Sequence, residues 1–396
     1  MIFNTIAYYL FFLFPSAILF RIAPKYLRSW ICSLFGIVFF VYFSLSMSED
    51  FQKAGFVLII IANAFLSLIY KPSILPFIFS IFFSITPLLI FKYWNFTTNL
   101  IAAPFGDNPF TWHGAFLPIG ISFFTFEFIH YAVDRYKGNI EKDNLPEYLA
   151  FLFFFPTMVA GPIKRYQDFT SCLQNPSLDW VTDWNRGITR ILVGLVKKFA
   201  IADFLASLTD HLNVKDILIA DRWVLLIWLF SYGWKIYFDF SAYSDIAIGS
   251  GRLFGIKIPE NFNWPYFRTN ITSFWQNWHI SLYKWLVDYV FIPIGGSRGS
   301  LLLVCRNILI VMIVSGIWHG AALHFVVWGI WHGLLLIVHK LWTTWHQQKD
   351  EKYDRQLSFS SFTGWLLTYI SVNIGWAFFA MDIKTSIVFF QKLFVG

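Results

Sequence analysis

Two histidines stand in stretches otherwise rich in aromatic and apolar residues: His279 in Phe274-Trp275-Gln276-Asn277-Trp278-His279-Ile280-Ser281-Leu282, and His319 in Ser315-Gly316-Ile317-Trp318-His319-Gly320. An imidazole in sequence that must lie in lipid needs a partner or a task, so both are candidates for a functional site. Kept from water, an imidazole favours its neutral form and can accept a proton. That suits a general base acting on a hydroxyl that attacks a thioester. Trp275, Trp278, His279 and Leu282 fall at i, i+3, i+4 and i+7, which predicts a helical face carrying two indoles beside His279. Spacing alone leaves the alternative open for both residues, a core histidine satisfied by its neighbours. Gly-Ile-Trp-His-Gly recurs at 329–333, so His332 competes with His319; it lies well inside a helical run without polar neighbours and reads as structural.

Other ionisable residues give weaker signals. Glu127 lies inside an apolar run, either as a carboxyl hydrogen-bonded between helices or as a functional group. His130, one turn before the basic exit Asp134-Arg135-Tyr136-Lys137, reads as structural. Lys164 and Arg165 follow Gly161-Pro162-Ile163 and could meet an anionic ligand or snorkel to headgroups. Lys235, Asp239 and Tyr243 are successive i, i+4 neighbours, so Asp239 either neutralises Lys235 or lines a reaction chamber. No Ser/His/Asp elbow, nucleotide loop or HExxH helix is present, and His319 with His324 lacks the carboxylate of a zinc site, so no metal is expected.

Composition dictates the elements that must position these groups. Of 396 residues, 57% are hydrophobic, 21% aromatic and only 13% charged. A soluble domain is excluded, and the expectation is an all-α polytopic membrane protein, a single integral domain over 1–396 with about 9 to 11 transmembrane or re-entrant helices. The net charge of +7 comes from Lys and Arg spread over short loops, which fits orientation in a membrane rather than nucleic-acid binding. Cys32, Cys172 and Cys305 are widely spaced and odd in number, so no disulfide framework follows.

Residues 1–115 read as N-terminal helices, with spans near 4–20, 30–46, 54–70 and 74–91 and a loop over 95–114. The first span has no basic leader or small-residue cleavage site and is expected to be retained. Arg21, Lys25 and Arg28 place its far end in the cytoplasm and the N-terminus outside. Residues 116–381 form the core. Its run 148–159 is too short to span and is broken by Pro156, which predicts a re-entrant segment beside a cytoplasmic cavity. A helix near 187–212 with Lys197-Lys198 at its middle predicts an interfacial element, and a span begins near Trp223. From Leu301 to Leu341, about 40 residues would measure roughly 60 Å as one helix, twice a hydrocarbon core. The chain must therefore turn, at Gly316, Gly320, Ala321 and Ala322, leaving His319 within the bilayer at the bottom of a polar funnel. A polar loop at 343–361, a span near 362–381 and a short tail at 382–396 follow.

Taken in order, Tyr237-Phe238-Asp239-Phe240-Ser241-Ala242-Tyr243-Ser244-Asp245, Glu260-Asn261-Phe262-Asn263-Trp264-Pro265-Tyr266, the His279 stretch, Asp288-Tyr289 with Ile292-Pro293-Ile294-Gly295-Gly296-Ser297-Arg298, and Ile317-Trp318-His319-Gly320 resemble the membrane-bound O-acyltransferase family. The resemblance, from Leu117 to about Phe379, is to its bacterial polysaccharide branch, typified by the alginate O-acetylation membrane subunit. It implies helices around a central tunnel open to an acyl donor inside and an acceptor outside. His319 matches the family's principal histidine and His279 the second, and both are expected to be catalytic. Tyr237, Asp239, Ser241, Tyr243, Asp245, Trp275, Trp278, Asp288 and Trp318, with Lys164, Arg165 and Glu127, are expected to line the tunnel or bind the donor. Val287, where an Arg is expected before Asp288, and Lys284, at a position usually apolar or small, depart from the pattern.

The implied protein is a multi-pass acyltransferase of the bacterial plasma membrane, surrounded by lipid and without a permanently bound cofactor. It would move an acetyl group from cytoplasmic acetyl-CoA to a cell-envelope or secreted polysaccharide through an extracytoplasmic acetyltransferase partner. Ile292-Pro293-Ile294-Gly295-Gly296 favours this acetylating branch. The short C-terminal part brings the chain nearer in length to the teichoic acid D-alanylation subunit, whose donor is a carrier-protein thioester. The rival from another class is a transporter or flippase without covalent chemistry; it predicts an internal repeat, of which Gly-Ile-Trp-His-Gly is a short trace.

Overall fold

The computed structural model describes residues 3, 5–45, 59–64, 73–104, 106, 108–112, 118–140, 144–349 and 359–395. Of the span expected at 54–70, only 59–64 falls among them, and Leu117 and residues 350–358 of the polar loop lie outside the described residues. Every element among the described residues is helical, as apolar runs in a membrane require, since a helix satisfies its backbone groups internally. Among the described residues, Lys25–Leu45, Ile74–Ala102, Leu301–His319 and Leu323–His346 are long and apolar enough to cross a bilayer. The chain divides into two compact units, Met1–Leu195 with Tyr243–Pro259, and Val196–Ala242 with Glu260–Gly396.

The first unit contains α1 (Phe14–Ile22), α2 (Lys25–Leu45), α3 (Ile74–Leu88), α4 (Trp94–Ala102), α5 (Ile121–Tyr136), α6 (Leu145–Leu152), α7 (Phe155–Met158), α8 (Tyr166–Gln174) and α9 (Trp180–Val196). A π-helical turn, Leu89–Tyr93, joins α3 to α4, so helix continues to Ala102 where the loop was expected from 95. Nothing from Trp94 to Ala102 breaks a helix, and Asn95 clips the returning chain by accepting Trp112 N–H at 2.8 Å. The helix expected from about 187 starts earlier, at Trp180, because Asp179 Oδ1 accepts Thr182 N–H at 3.1 Å and caps it. The segment broken by Pro156 forms the short α6 and α7, and every residue from Tyr148 to Met158 is buried.

Arg21, expected as a loop cation, is instead buried. Its guanidinium donates to Leu253 O (2.8 Å), Arg252 O (3.0 Å), Asp183 Oδ2 (2.8 Å) and Ser177 O. It thereby satisfies carbonyls at the end of the long helix Arg222–Phe254, which have no partner within that helix.

The second unit contains α10 (Asp203–Thr209), α11 (Val214–Ile219), the first part of α12 (Arg222–Phe254), α13 (Ile271–Asn277), α14 (Ile280–Leu286), α15 (Leu301–His319), α16 (Leu323–Lys349), α17 (Phe359–Ala380) and α18 (Ile383–Phe394). The turn between α15 and α16 falls at 320–322, as the length argument requires. The two helices meet backbone to backbone. A Cβ added to Gly316 would lie 2.2 Å from Phe325 O, and one added to Gly329 would lie 2.4 Å from Met312 O. An aromatic cluster that includes Tyr266, Phe274, Trp275, Trp278, Trp328 and Trp376 forms the core. Its buried Tyr266 hydroxyl donates to Gly233 O at 2.6 Å and accepts Trp376 Nε1–H at 2.9 Å. Ile217, Leu225, Leu229, Met381 and Phe389 pack as a second cluster that folds the tail against α11 and α12.

Candidate functional site

The helical face expected around His279 is interrupted. α13 ends at Asn277, Trp278 is extended (φ −104°, ψ 126°), and His279 enters the left-handed region (φ 45°, ψ 55°) before α14 begins. A non-glycine residue there costs of order 1 kcal/mol or more, so its surroundings must hold it. Asn261 does so. Its carbonyl accepts Ile280 N–H at 2.9 Å. Its side-chain Oδ1 accepts Ser281 N–H (3.2 Å) and Ser281 Oγ–H (2.8 Å) and stands 3.1 Å from His279 Nδ1. The break lets Trp278 pack on Trp376 (5.0 Å) while the His279 ring turns to Phe240 (4.6 Å) and Trp318 (6.2 Å). His279 is 2% exposed, and among the described residues its Nε2 has no hydrogen-bond partner.

His279 lines a cavity of ≈ 360 Å³ bordered by α13, α14, the π-helical turn Val287–Phe291, α15 and α16. Its walls are apolar, with Trp275, Trp278, Leu282, Leu286, Met312 and Leu336 among them. Gly333 faces Leu309 and Gly329 faces Met312, so the antiparallel register of α15 and α16 sets Ser315 toward one end and Lys340 toward the other. At the Lys340 end lie Thr343 and His339, whose Nδ1 is 2.8 Å from Thr272 Oγ1.

His319 is the last residue of α15, with its ring against Trp318 (4.7 Å), Trp328 (5.0 Å) and Phe379 (5.0 Å). The Trp318 ring thus touches both candidate imidazoles. The cavity lining includes Ser315, one turn before His319 on the same helix. His332 is fully buried, 5.1 Å from the rings of both Trp275 and Trp328, in agreement with a packing role.

Of the other expected site residues in this unit, Tyr237 packs on Phe262 (5.6 Å) and Trp278 (6.2 Å), and Ser241 Oγ–H donates to Phe238 O at 3.4 Å. Asp288 lies half-buried in the π-helical turn, next to the lining residue Val287. Asp239 is not neutralised by Lys235, whose ammonium lies over the Tyr232 ring at 5.4 Å. It pairs instead with Lys198 at 2.7 Å, which also reaches Asp203 at 2.8 Å. The π-helical segment Lys197–Ala202 places Lys198 for both contacts.

In the first unit, Glu127 and Lys164 form a buried ion pair, with the Lys164 ammonium 4.6 Å from the Phe151 ring centre. The Glu127 carboxyl thus joins α5 to the segment that carries Lys164. His130 Nε2 accepts Tyr166 N–H at 2.8 Å, and Arg165 caps α8 in extended conformation. The Tyr243 hydroxyl donates to Pro156 O and accepts Ala160 N–H, each at 3.3 Å, and Asp245 accepts from Arg190 at 2.6 Å. Among the described residues, no three His, Cys, Asp or Glu side chains gather as a metal site.

Sequence reasoning passed over Asn261, Thr272, Ser315, His339 and Lys340. One signal was present: Leu336, His339, Lys340 and Thr343 fall at i, i+3, i+4 and i+7, a polar end to an apolar helix face.

A polytopic helical membrane protein with two aromatic-packed imidazoles near an apolar cavity is the class that fold and site define. The model of the MBOAT, membrane-bound O-acyltransferase family, matches residues 77–379, and the chain belongs to that family. It is 38% identical over 303 residues to the probable alginate O-acetylase AlgI of Pseudomonas aeruginosa, covering 74% of this chain and 55% of that protein. It is 33% identical over 292 residues to the peptidoglycan O-acetyltransferase of Helicobacter pylori (66% and 54% covered), and 28% identical over 278 residues to the teichoic acid D-alanyltransferase of Bacillus subtilis (67% and 68%). The chain spans a little over half the length of the two O-acetylating relatives.

Proposed function

We propose that this protein is a multi-pass O-acyltransferase of the bacterial plasma membrane, its N-terminus extracytoplasmic, that takes an acetyl group from cytoplasmic acetyl-CoA for O-acetylation of an envelope or secreted polysaccharide. The observation that carries this reading is the ≈ 360 Å³ cavity, apolar along its walls, with Lys340 at one end and Ser315 and His279 in its lining. A positive charge suits the phosphates of a CoA-type donor, and apolar walls suit its acyl end. The acceptor hydroxyl oxygen bonds to the thioester carbonyl carbon, the C–S bond breaks, and the hydroxyl proton passes by way of imidazole to the departing sulfur. His319 orients the hydroxyl and acts as base, while His279 shapes the donor passage or assists proton transfer. The names of the P. aeruginosa and H. pylori relatives support acetyl as the group and a glycan as the acceptor. An extracytoplasmic acetyltransferase partner would complete delivery.

The test is protein in lipid vesicles supplied with acetyl-labelled acetyl-CoA and an acceptor glycan. Wild type should release CoA and label the glycan, and His319→Ala should do neither at an unchanged membrane level. Continued labelling by His319→Ala would remove that residue from the reaction. A transporter would leave the thioester intact. D-alanyl transfer from a carrier-protein thioester is a second reading, supported by the name of the B. subtilis relative. The same assay with that donor separates the two.

A further inference from the structure

A neutral His279 can carry its ring proton on either nitrogen, and Asn261 decides which. Asn261 is completely buried, and its Oδ1 lies 3.2 Å from the Ser281 backbone nitrogen and 2.8 Å from Ser281 Oγ. A backbone N–H can only donate, so the amide atom facing it must be oxygen; turned over, the amide would set donor against donor. That same oxygen stands 3.1 Å from His279 Nδ1 and can only accept, which requires the proton on Nδ1. Nε2 of the neutral ring is then bare. It is buried and, among the described residues, without a hydrogen-bond partner, on a residue that lines the cavity and is held in a left-handed backbone. A buried acceptor left unsatisfied is costly unless a donating group comes to occupy the adjoining space.

We infer that Asn261 is a positioning residue that locks His279 in the Nδ1–H tautomer, presenting Nε2 as the proton acceptor at the cavity. The chemical identity of the incoming donor rests on the acyl-transfer reading above. Within that reading, His279 fills the assisting role in proton transfer and His319 remains orienter and base. As the hydroxyl oxygen bonds to the thioester carbon and the C–S bond breaks, His319 takes the hydroxyl proton, which reaches the departing sulfur by way of Nε2. Tyr283 of α14 and His339 and Lys340 of α16 face the same cavity, and His319 of α15 lies beyond Trp318; Asn261 reaches His279 at 3.1 Å.

Nitrogen-15 NMR of the full chain in lipid, with labelled histidine and the His279 signals identified by their loss in His279→Gln, reads the tautomer without any substrate. The wild type should show a proton on Nδ1 and a bare Nε2; a proton on Nε2 overturns the inference whatever the donor proves to be. Kinetics with acetyl-CoA supply the second arm. Asn261→Asp keeps an acceptor and adds a charge that favours imidazolium, so transfer should persist with the acid limb of its pH profile moved up by about one pH unit. Asn261→Leu should lose about 10²-fold in kcat with KM within about twofold. A purely structural role would leave the limb of an active Asn261→Asp unmoved, and that result would overturn the assignment. Absence of acetyl transfer by the wild type would count against the acyl-transfer reading instead, and the NMR result would still decide the tautomer.

Discussion

Thr272 Oγ1 and His339 Nδ1 stand 2.8 Å apart and pin the start of α13 to the polar end of the cavity on α16. The contact fixes the helix turn that carries Lys340, which lies in the lining of the cavity at that end.

If that end receives an anionic part of the donor, Lys340→Glu sets like charges together. The expected result is about a tenfold rise in donor KM with kcat within about twofold, because the charge is distant from the reacting atoms. Initial rates across acetyl-CoA concentrations in vesicles measure it. A fall in kcat at unchanged KM would mean that Lys340 lies elsewhere relative to the donor.

Lys198 neutralises two carboxylates, Asp239 at 2.7 Å and Asp203 at 2.8 Å. Asp239→Asn should cost about 0.5–1 kcal/mol, since the pair is partly exposed. Lys198→Met should cost more, because it leaves two carboxylates without their shared cation. Thermal unfolding of the two variants in one detergent ranks them, and equal loss would show that the bridge to Asp203 contributes little.

Arg21 joins α1 to the end of the long helix and to Asp183. Arg21→Ala leaves the buried Asp183 carboxylate and the Leu253 and Ser177 carbonyls without their guanidinium, for an expected loss of about 3–5 kcal/mol. Arg21→Lys should recover little, because one ammonium cannot span acceptors arranged for a planar fork. Unfolding temperature is the readout, and recovery by Lys would show that charge alone suffices.

Gly316 and Gly329 allow the backbones of α15 and α16 to touch. Gly316→Val and Gly329→Val should each force them apart at a cost of about 1–3 kcal/mol or more. Because Ser315 and Met312 line the cavity, transfer should fall along with stability. A stable, fully active Gly316→Val protein would show that the helices can separate without disturbing the site.

The all-helical membrane class, the turn at 320–322 and the interruption of the run at Pro156 were legible from residue order, though the short helices around Pro156 were not. Each has a local cause: apolar length against bilayer thickness, or a residue that cannot continue a span. The two histidine stretches stood out in the sequence too, because imidazole among apolar residues needs a partner or a task.

Partner choice was decided only by tertiary structure. Spacing offered Asp239 the cation one turn away on its own helix, Lys235, yet it pairs with Lys198, 41 residues distant. The indole face drawn around His279 is broken by a left-handed residue held by Asn261, 18 positions earlier. Arg21, a loop charge by composition, is a buried clasp. Helical periodicity says which side chains share a face; which groups lie across from that face depends on how separate segments pack, and that energy is summed over contacts remote in sequence.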